Sequence, residues 1–155
     1  MIEPRRLVVV SNRVPQTEAF LQSVEGTNLA TLGGLVTAVQ PAIRRRDTLW
    51  FGWSGATDGH ADNEPRTVQV GSTQLATISF SGKEWSLFYS LFCNQTLWPL
   101  FHSFPERVSI RVDAWRAYLR VNRRYAEALL GLLKPQDVLW VHDYHLFTLG
   151  SELRR

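Results

Sequence analysis

Apolar residues recur along the chain in two rhythms. Leu7-Val8-Val9-Val10 runs without polar interruption and breaks off at Ser11-Asn12-Arg13. Leu49-Trp50-Phe51-Gly52-Trp53 ends in the same way at Ser54-Gly55, and Val138-Leu139-Trp140-Val141 at His142-Asp143-Tyr144-His145. Short apolar runs of this kind suit strands buried on both faces, as in a parallel sheet. Residues 67–70 and 74–80 alternate instead, which predicts two strands joined in a hairpin around Gly71-Ser72. A helical rhythm is clearest over 114–133. There Trp115, Tyr118, Leu119, Tyr125, Leu129 and Leu132 share a stripe, with Arg116, Arg120, Arg123 and Arg124 mainly on the solvated side. Gly33-Gly34 opens another helix, whose Leu35, Val39, Ala42 and Ile43 fall on one face and whose last turn holds Arg44-Arg45-Arg46. Pro41 removes a backbone hydrogen bond and predicts a kink there or a helix in two parts. Two short helices, 83–92 and 94–101, are expected around Pro99, and a further helix from the 142–145 turn to Arg155. Residues 14–32 and 58–66 read as loops, and 134–137 as a turn. The first loop is long for a strand-to-helix connection, and long loops are often functional.

Strands alternating with helices predict an α/β fold with a parallel sheet, and 155 residues make one domain. In such sheets ligands bind beyond the carboxyl ends of the strands. Ser11-Asn12-Arg13 and His142-Asp143-Tyr144-His145 both follow strands, and Gly33-Gly34 starts a helix at the same edge. Three polar or glycine-rich sites therefore converge on one rim.

The balance of 17 basic against 14 acidic residues is too small and scattered to indicate nucleic acid. With one cysteine, Cys93, no disulfide forms within the chain, and a reducing, cytoplasmic setting is the simplest expectation. No apolar run approaches a membrane span, and the run at Leu7 is too short for a signal peptide. On the rim, the planar guanidinium of Arg13 suits phosphate or carboxylate, with a surface salt bridge as the competing reading. Gly33-Gly34 would let a ligand approach backbone N–H groups at a helix start, although a simple turn uses the same dipeptide. His142, Asp143 and His145 are zinc-ligand types, but adjacent residues on one turn point apart and no matching cluster occurs elsewhere. Asp143 accepting hydrogen bonds from sugar hydroxyls, with a histidine assisting, fits better. Trp53, Tyr89 and Trp98 lie near polar residues or turns, where rings can pack on sugar faces; core packing competes for each. No Gly-x-Ser-x-Gly elbow supports a serine hydrolase.

The combination is more specific than its parts. Leu7 to Arg13, Gly33-Gly34-Leu35-Val36, Trp50-Phe51-Gly52-Trp53-Ser54-Gly55, Tyr89, Asn94 and Leu97-Trp98-Pro99-Leu100-Phe101-His102 follow in order. Trp115, Tyr118-Leu119-Arg120-Val121-Asn122 and Trp140-Val141-His142-Asp143-Tyr144-His145-Leu146 complete the series. This series resembles the start of the trehalose-6-phosphate synthases, retaining GT-B glycosyltransferases of family 20. The resemblance implies a Rossmann-like parallel sheet flanked by helices, the N-terminal part of two such domains with the active site between them. It implies transfer of glucose from a nucleoside-diphosphate glucose, UDP-glucose being the expected donor, to glucose 6-phosphate with retention. Neither metal nor other cofactor is implied. Arg13 would grip the acceptor phosphate. Tyr89, Trp98 and Asp143 would contact or line the glucose 6-phosphate pocket, and Gly33 and Gly34 would approach the donor. Trp53 and His145 are further pocket candidates. The loop after Arg13 would be a mobile flap, and full-length members could form homo-oligomers.

Members of that family are several times longer. Residues 1–155 would therefore be an incomplete acceptor-binding domain without the nucleotide-sugar domain, inactive alone and marginal in stability because a sheet edge lacks its neighbour. No catalytic residue is assigned in this segment. Competing readings are a truncated, non-catalytic sugar-phosphate-binding module and a relative with another phosphorylated acceptor. Phe88, Cys93 and Thr31-Leu32 depart from the family pattern without removing a named contact.

Overall fold

The computed structural model describes residues 5–24, 34–43, 46–57 and 64–155. Five strands form one sheet: β1 (Leu7–Arg13), β2 (Thr48–Trp53), β3 (Arg66–Val70), β4 (Thr73–Ile78) and β5 (Val138–Val141), in the order β3-β4-β2-β1-β5. β1 lies between β2 and β5 and is parallel to both, and β2 is parallel to β4. β3 runs antiparallel to β4 across a turn at Gly71, whose φ is 59°. The sheet is thus mostly parallel, with the hairpin adding one antiparallel edge.

Burial on both faces explains the uninterrupted apolar runs of β1 and β2; β5, expected to be buried in the same way, is the edge strand and leaves Val138, Trp140 and Val141 exposed. Val8 and Val10 of β1, Leu49 and Phe51 of β2, and Ala76 and Ile78 of β4 point into one core. Leu7, Val9, Trp50 and Leu75 point into the other. The second core is covered by α1 (Thr17–Val24) and α2 (Gly34–Ile43), through Phe20, Val39 and Ile43. The first is covered by a helical run of changing pitch and by α5 (Val112–Leu130).

That run begins at α3 (Gly82–Trp85), where Ser81 Oγ accepts from the Glu84 N–H at 3.2 Å. It widens into a π-helical segment, Ser86–Leu97, and closes as α4 (Trp98–Phe101). The expected pair of short helices is therefore one continuous run. Trp98 N–H donates to the Cys93 carbonyl, and Pro99, which has no N–H, follows where the pitch changes back. π-Helical turns are rare and concentrate at functional sites.

Other expectations are corrected too. The loop expected over 14–32 contains α1; its one strong anchor is Phe20, edge-on to Trp50 at 5.9 Å, too little periodicity to read in the sequence. Residues 25–33 and 44–45, including Gly33, lie outside the described residues, as do 58–63. α2 passes through Pro41 as one helix rather than two, with one backbone hydrogen bond given up at the proline. Arg46 lies beyond α2 and donates to the Arg5 carbonyl. β4 ends at Ile78, and α5 spans 112–130 rather than 114–133. Trp115, placed on its inner stripe, is 40% exposed, whereas Ala114, Ala117 and Val121 are buried. The single helix expected up to Arg155 is instead a 3-10 turn, Tyr144–Leu146, followed by α6 (Leu149–Glu152).

Opposite the rim, β1 and β5 are fastened by a latch. Arg6 Nε and Nη2 donate to the two Asp137 carboxylate oxygens at 3.0 and 2.6 Å, and Nη2 also donates to the Leu132 carbonyl at 2.8 Å. The two side chains are 9% and 4% exposed. The hydrogen bonds from Arg6 hold the Asp137 carboxyl below its ordinary range. The folded chain then binds that proton less readily than the unfolded chain, so the stabilisation is complete above the ordinary carboxylate range and is lost as pH falls through the folded value. Asp137→Asn is expected to lower the unfolding free energy by about 3 kcal/mol at neutral pH, because the buried guanidinium loses its charge partner. The same variant should be less sensitive to acid than the parent. Denaturant melts at neutral and acidic pH measure both effects.

Candidate active site

The carboxyl ends of β1, β2, β4 and β5 lie along one edge, and a cavity of about 460 Å³ opens there. Ser11, Asn12 and Arg13 line it from β1, Gly34 from the start of α2, and His142, Asp143 and His145 from the turn after β5. The three sites expected on the rim do converge, with Gly34 standing for the glycine pair. Gln16 and Ala19, at and beside the start of α1, also line the cavity; that helix was not legible in the sequence.

Arg13 is placed by close packing at the end of β1. The β1–β2 register shifts between Val10 and Arg13. Ser11 Oγ fixes the shifted backbone, donating to the Arg13 carbonyl and accepting from Trp50 Nε1, both at 2.8 Å. Tyr125 donates its hydroxyl to the Asn12 carbonyl at 2.7 Å. Gly52 permits this approach, because a Cβ there would lie 2.4 Å from the Ser11 carbonyl oxygen. Gly55, at φ 97°, leaves room for the guanidinium, which a Cβ there would meet at 2.8 Å. The Arg13 Cζ sits 5.6 Å from the Trp53 ring centre. Trp53 is thereby a platform beneath Arg13 rather than part of the cavity wall.

A row of rings starts at that platform. Trp53 stacks on Trp85 at 3.6 Å, Trp85 on Tyr89 at 4.6 Å, Tyr89 on His145 at 5.4 Å and His145 on Tyr144 at 4.4 Å. Tyr89 does not itself line the cavity and meets it only through His145, on which it stacks. Trp85 and Tyr144 were not singled out in the sequence; the four-residue spacing of Trp85 and Tyr89 was the available signal. Trp98 does not join the row or line the cavity. It stacks on His102 at 4.1 Å and is 40% exposed.

At the other end, His142 N–H donates to the Val10 carbonyl at 2.8 Å, closing β5 onto β1. Asp143 follows at φ 75° and ψ 160°, a conformation that residues other than glycine adopt only under constraint. Its Oδ1 accepts from the Tyr144 N–H at 2.7 Å, and its Oδ2 lies 3.2 Å from His145 Nδ1. Burial lowers His142 and His145 below the ordinary histidine range, against the opposing pull of the Asp143 charge. The rim therefore presents one cation from Arg13, one carboxylate from Asp143 and two imidazoles biased toward the neutral form. Among the described residues, no three His, Cys, Asp or Glu side chains gather closely enough to hold a metal ion. Burial raises the Cys93 thiol, which makes it a packing residue.

A guanidinium and a carboxylate facing one open cavity suit a ligand with an anionic group and hydroxyls. Comparisons with known proteins place the whole described chain in one family. The family model for glycosyltransferase family 20 matches residues 5–155. A trehalose-6-phosphate synthase from Citrobacter koseri is 41% identical over 150 residues, covering 97% of this chain and 30% of that protein. The crystal structure of a UDP-forming α,α-trehalose-phosphate synthase from Burkholderia vietnamiensis superposes with a TM-score of 0.84 at 36% identity, over 97% of this chain and 30% of that one. Another from Burkholderia xenovorans, in complex with glucose-6-phosphate, gives a TM-score of 0.77 at 34% identity, over 96% of this chain and 30% of that one. The chain thus spans about 30% of the length of the relatives it matches. A match that runs unbroken from Arg5 to Arg155, with the two-faced sheet, the rim and the ring row all inside it, makes the chain a member of glycosyltransferase family 20.

Proposed function

We propose that residues 1–155 form the acceptor side of an α,α-trehalose-phosphate synthase active site. The enzyme transfers glucose with retention from UDP-glucose to glucose 6-phosphate. The carrying observation is the pairing of Arg13 and Asp143 across one cavity at the carboxyl edge of the sheet. Arg13 would take the acceptor phosphate through its planar fork. Asp143 would accept hydrogen bonds from the sugar hydroxyls, with Tyr89 behind it in the ring row. Trp98 lies on α4 outside this cavity and takes no part in the reading. Gly34, with Gly33 before it, would admit the donor at the start of α2, where backbone N–H groups favour anionic oxygen. Support comes from the relatives described as UDP-forming and as bound to glucose-6-phosphate.

Titration of the chain with glucose 6-phosphate, glucose and inorganic phosphate tests the acceptor reading. Arg13→Ala is expected to weaken glucose 6-phosphate by about ten- to a hundredfold, the loss of a hydrogen bond to a charged group. Glucose alone should be little affected. Equal losses for both ligands would sink the phosphate role.

Gly34 permits a separate test of the donor side. A Cβ at Gly34 meets no atom of the described residues within 4 Å, so Gly34→Val should leave the melting temperature and glucose 6-phosphate binding unchanged. In a protein of the relatives' length that carries these residues, it should raise the KM for the nucleotide-glucose. An unchanged donor KM would remove Gly34 from the donor site.

A further inference from the structure

His145 is 6% exposed, yet it lines the cavity. Its imidazole lies face to face between two phenols. The Tyr89 ring is 5.4 Å away and inclined by 10°, and the Tyr144 ring 4.4 Å away and inclined by 22°. Tyr89 comes from the π-helical segment and Tyr144 from the turn after β5, so two separate elements build the slot. α5 fixes the turn from a third direction. Asn122 Nδ2 donates to the His145 carbonyl at 3.1 Å, and the Tyr118 hydroxyl donates to the Tyr144 carbonyl at 2.7 Å. A ring held in this way has little freedom to rotate.

The nitrogens of this ring are not used by the fold. Both are buried, and neither has a well-directed hydrogen bond among the described residues beyond the close approach of the Asp143 carboxylate to Nδ1. Unpartnered buried polar atoms are uncommon and call for an explanation. Nδ1 faces Asp143 Oδ2 at 3.2 Å. Asp143 itself is half-exposed, and its other oxygen is engaged by the Tyr144 N–H. The two carboxylate oxygens thus meet different neighbours: the backbone on one side, the clamped imidazole on the other.

We propose that His145 is a positioning residue: wedged between Tyr89 and Tyr144, it holds the Asp143 carboxylate toward the cavity and couples it to Tyr89. Two acceptor contacts carried by different elements then keep a fixed relation. This rests on the acceptor reading of the cavity. The titratable and charged groups on the elements around the ring are His142, Asp143 and Tyr144 from its own turn, Tyr89 and Cys93 from the π-helical segment, Tyr118 from α5, and Arg13 of β1 across the cavity. Asp143 is the only carboxylate among them.

Two measurements decide the proposal. The first needs no ligand. The His145 imidazole is followed by NMR across a pH titration in the chain and in Asp143→Asn. Its midpoint should lie below the ordinary histidine range in the chain and lower still in the variant, because the neighbouring negative charge is gone. Identical midpoints would overturn the pairing. The second compares glucose 6-phosphate affinity in the chain and in His145→Phe, which keeps a ring in the slot and removes the nitrogens. The expected result is an unchanged melting temperature with affinity reduced about tenfold, the size of one lost charge-assisted contact. Unchanged affinity would overturn the positioning role. If the parent chain binds no glucose 6-phosphate, the acceptor reading fails and the positioning role with it; the NMR titration then still decides whether His145 and Asp143 are coupled.

Discussion

The structure depends on β1 being enclosed on every side. Its alternate residues feed two separate cores, and its two edges bond to β2 and β5. A strand held this way cannot shift register without moving its whole apolar set to the wrong face. Its carboxyl end is therefore a fixed point. The Ser11 hydroxyl, the Tyr125 hydroxyl and the Gly52 contact all secure that end, and Arg13 inherits its position from them.

The partner of Arg13 is fixed by the same strand. β5 pairs with β1 as far as Val10 and Val141, and the His142 N–H continues the ladder by one bond. Adjacent strands stand about 4.8 Å apart. Asp143 thus leaves the sheet one strand away from Arg13. The ring row runs from beneath Arg13 to His145 and joins the two ends from the side. Sheet and stack set the same separation by different means, so the geometry of the cavity does not rely on any loop alone.

Much of this was legible in the sequence for physical reasons. A strand buried twice has no polar alternation, so Leu7 to Val10 announced itself; Val138 to Val141 shows the same uninterrupted run and also located the rim, although as an edge strand it leaves Val138, Trp140 and Val141 exposed. Arg13, Asp143 and Gly34 followed from the rule that ligands gather beyond strand ends. What escaped depends on contacts between distant residues or on short local structure. Among the described side chains of α1 only Phe20 is buried in the core, which leaves no period to read in the sequence. Trp85 looked like any aromatic in a helix, because its stacking partner Trp53 lies 32 positions earlier in the chain. The π-helical pitch left no period to read either. Trp98 was assigned to the acceptor side by resemblance, and within this chain its ring neighbours are His102 and Phe104.

The backbone of Asp143 carries a consequence beyond binding. A residue with a side chain at φ 75° and ψ 160° costs the fold about 1–3 kcal/mol that glycine would not. Selection for thermal stability alone would install glycine at this point and relax the turn. Aspartate here costs part of the margin against unfolding and places a carboxylate at the mouth of the cavity. Position 143 is therefore where a stability-guided redesign of this segment would recommend a substitution that removes its chemistry.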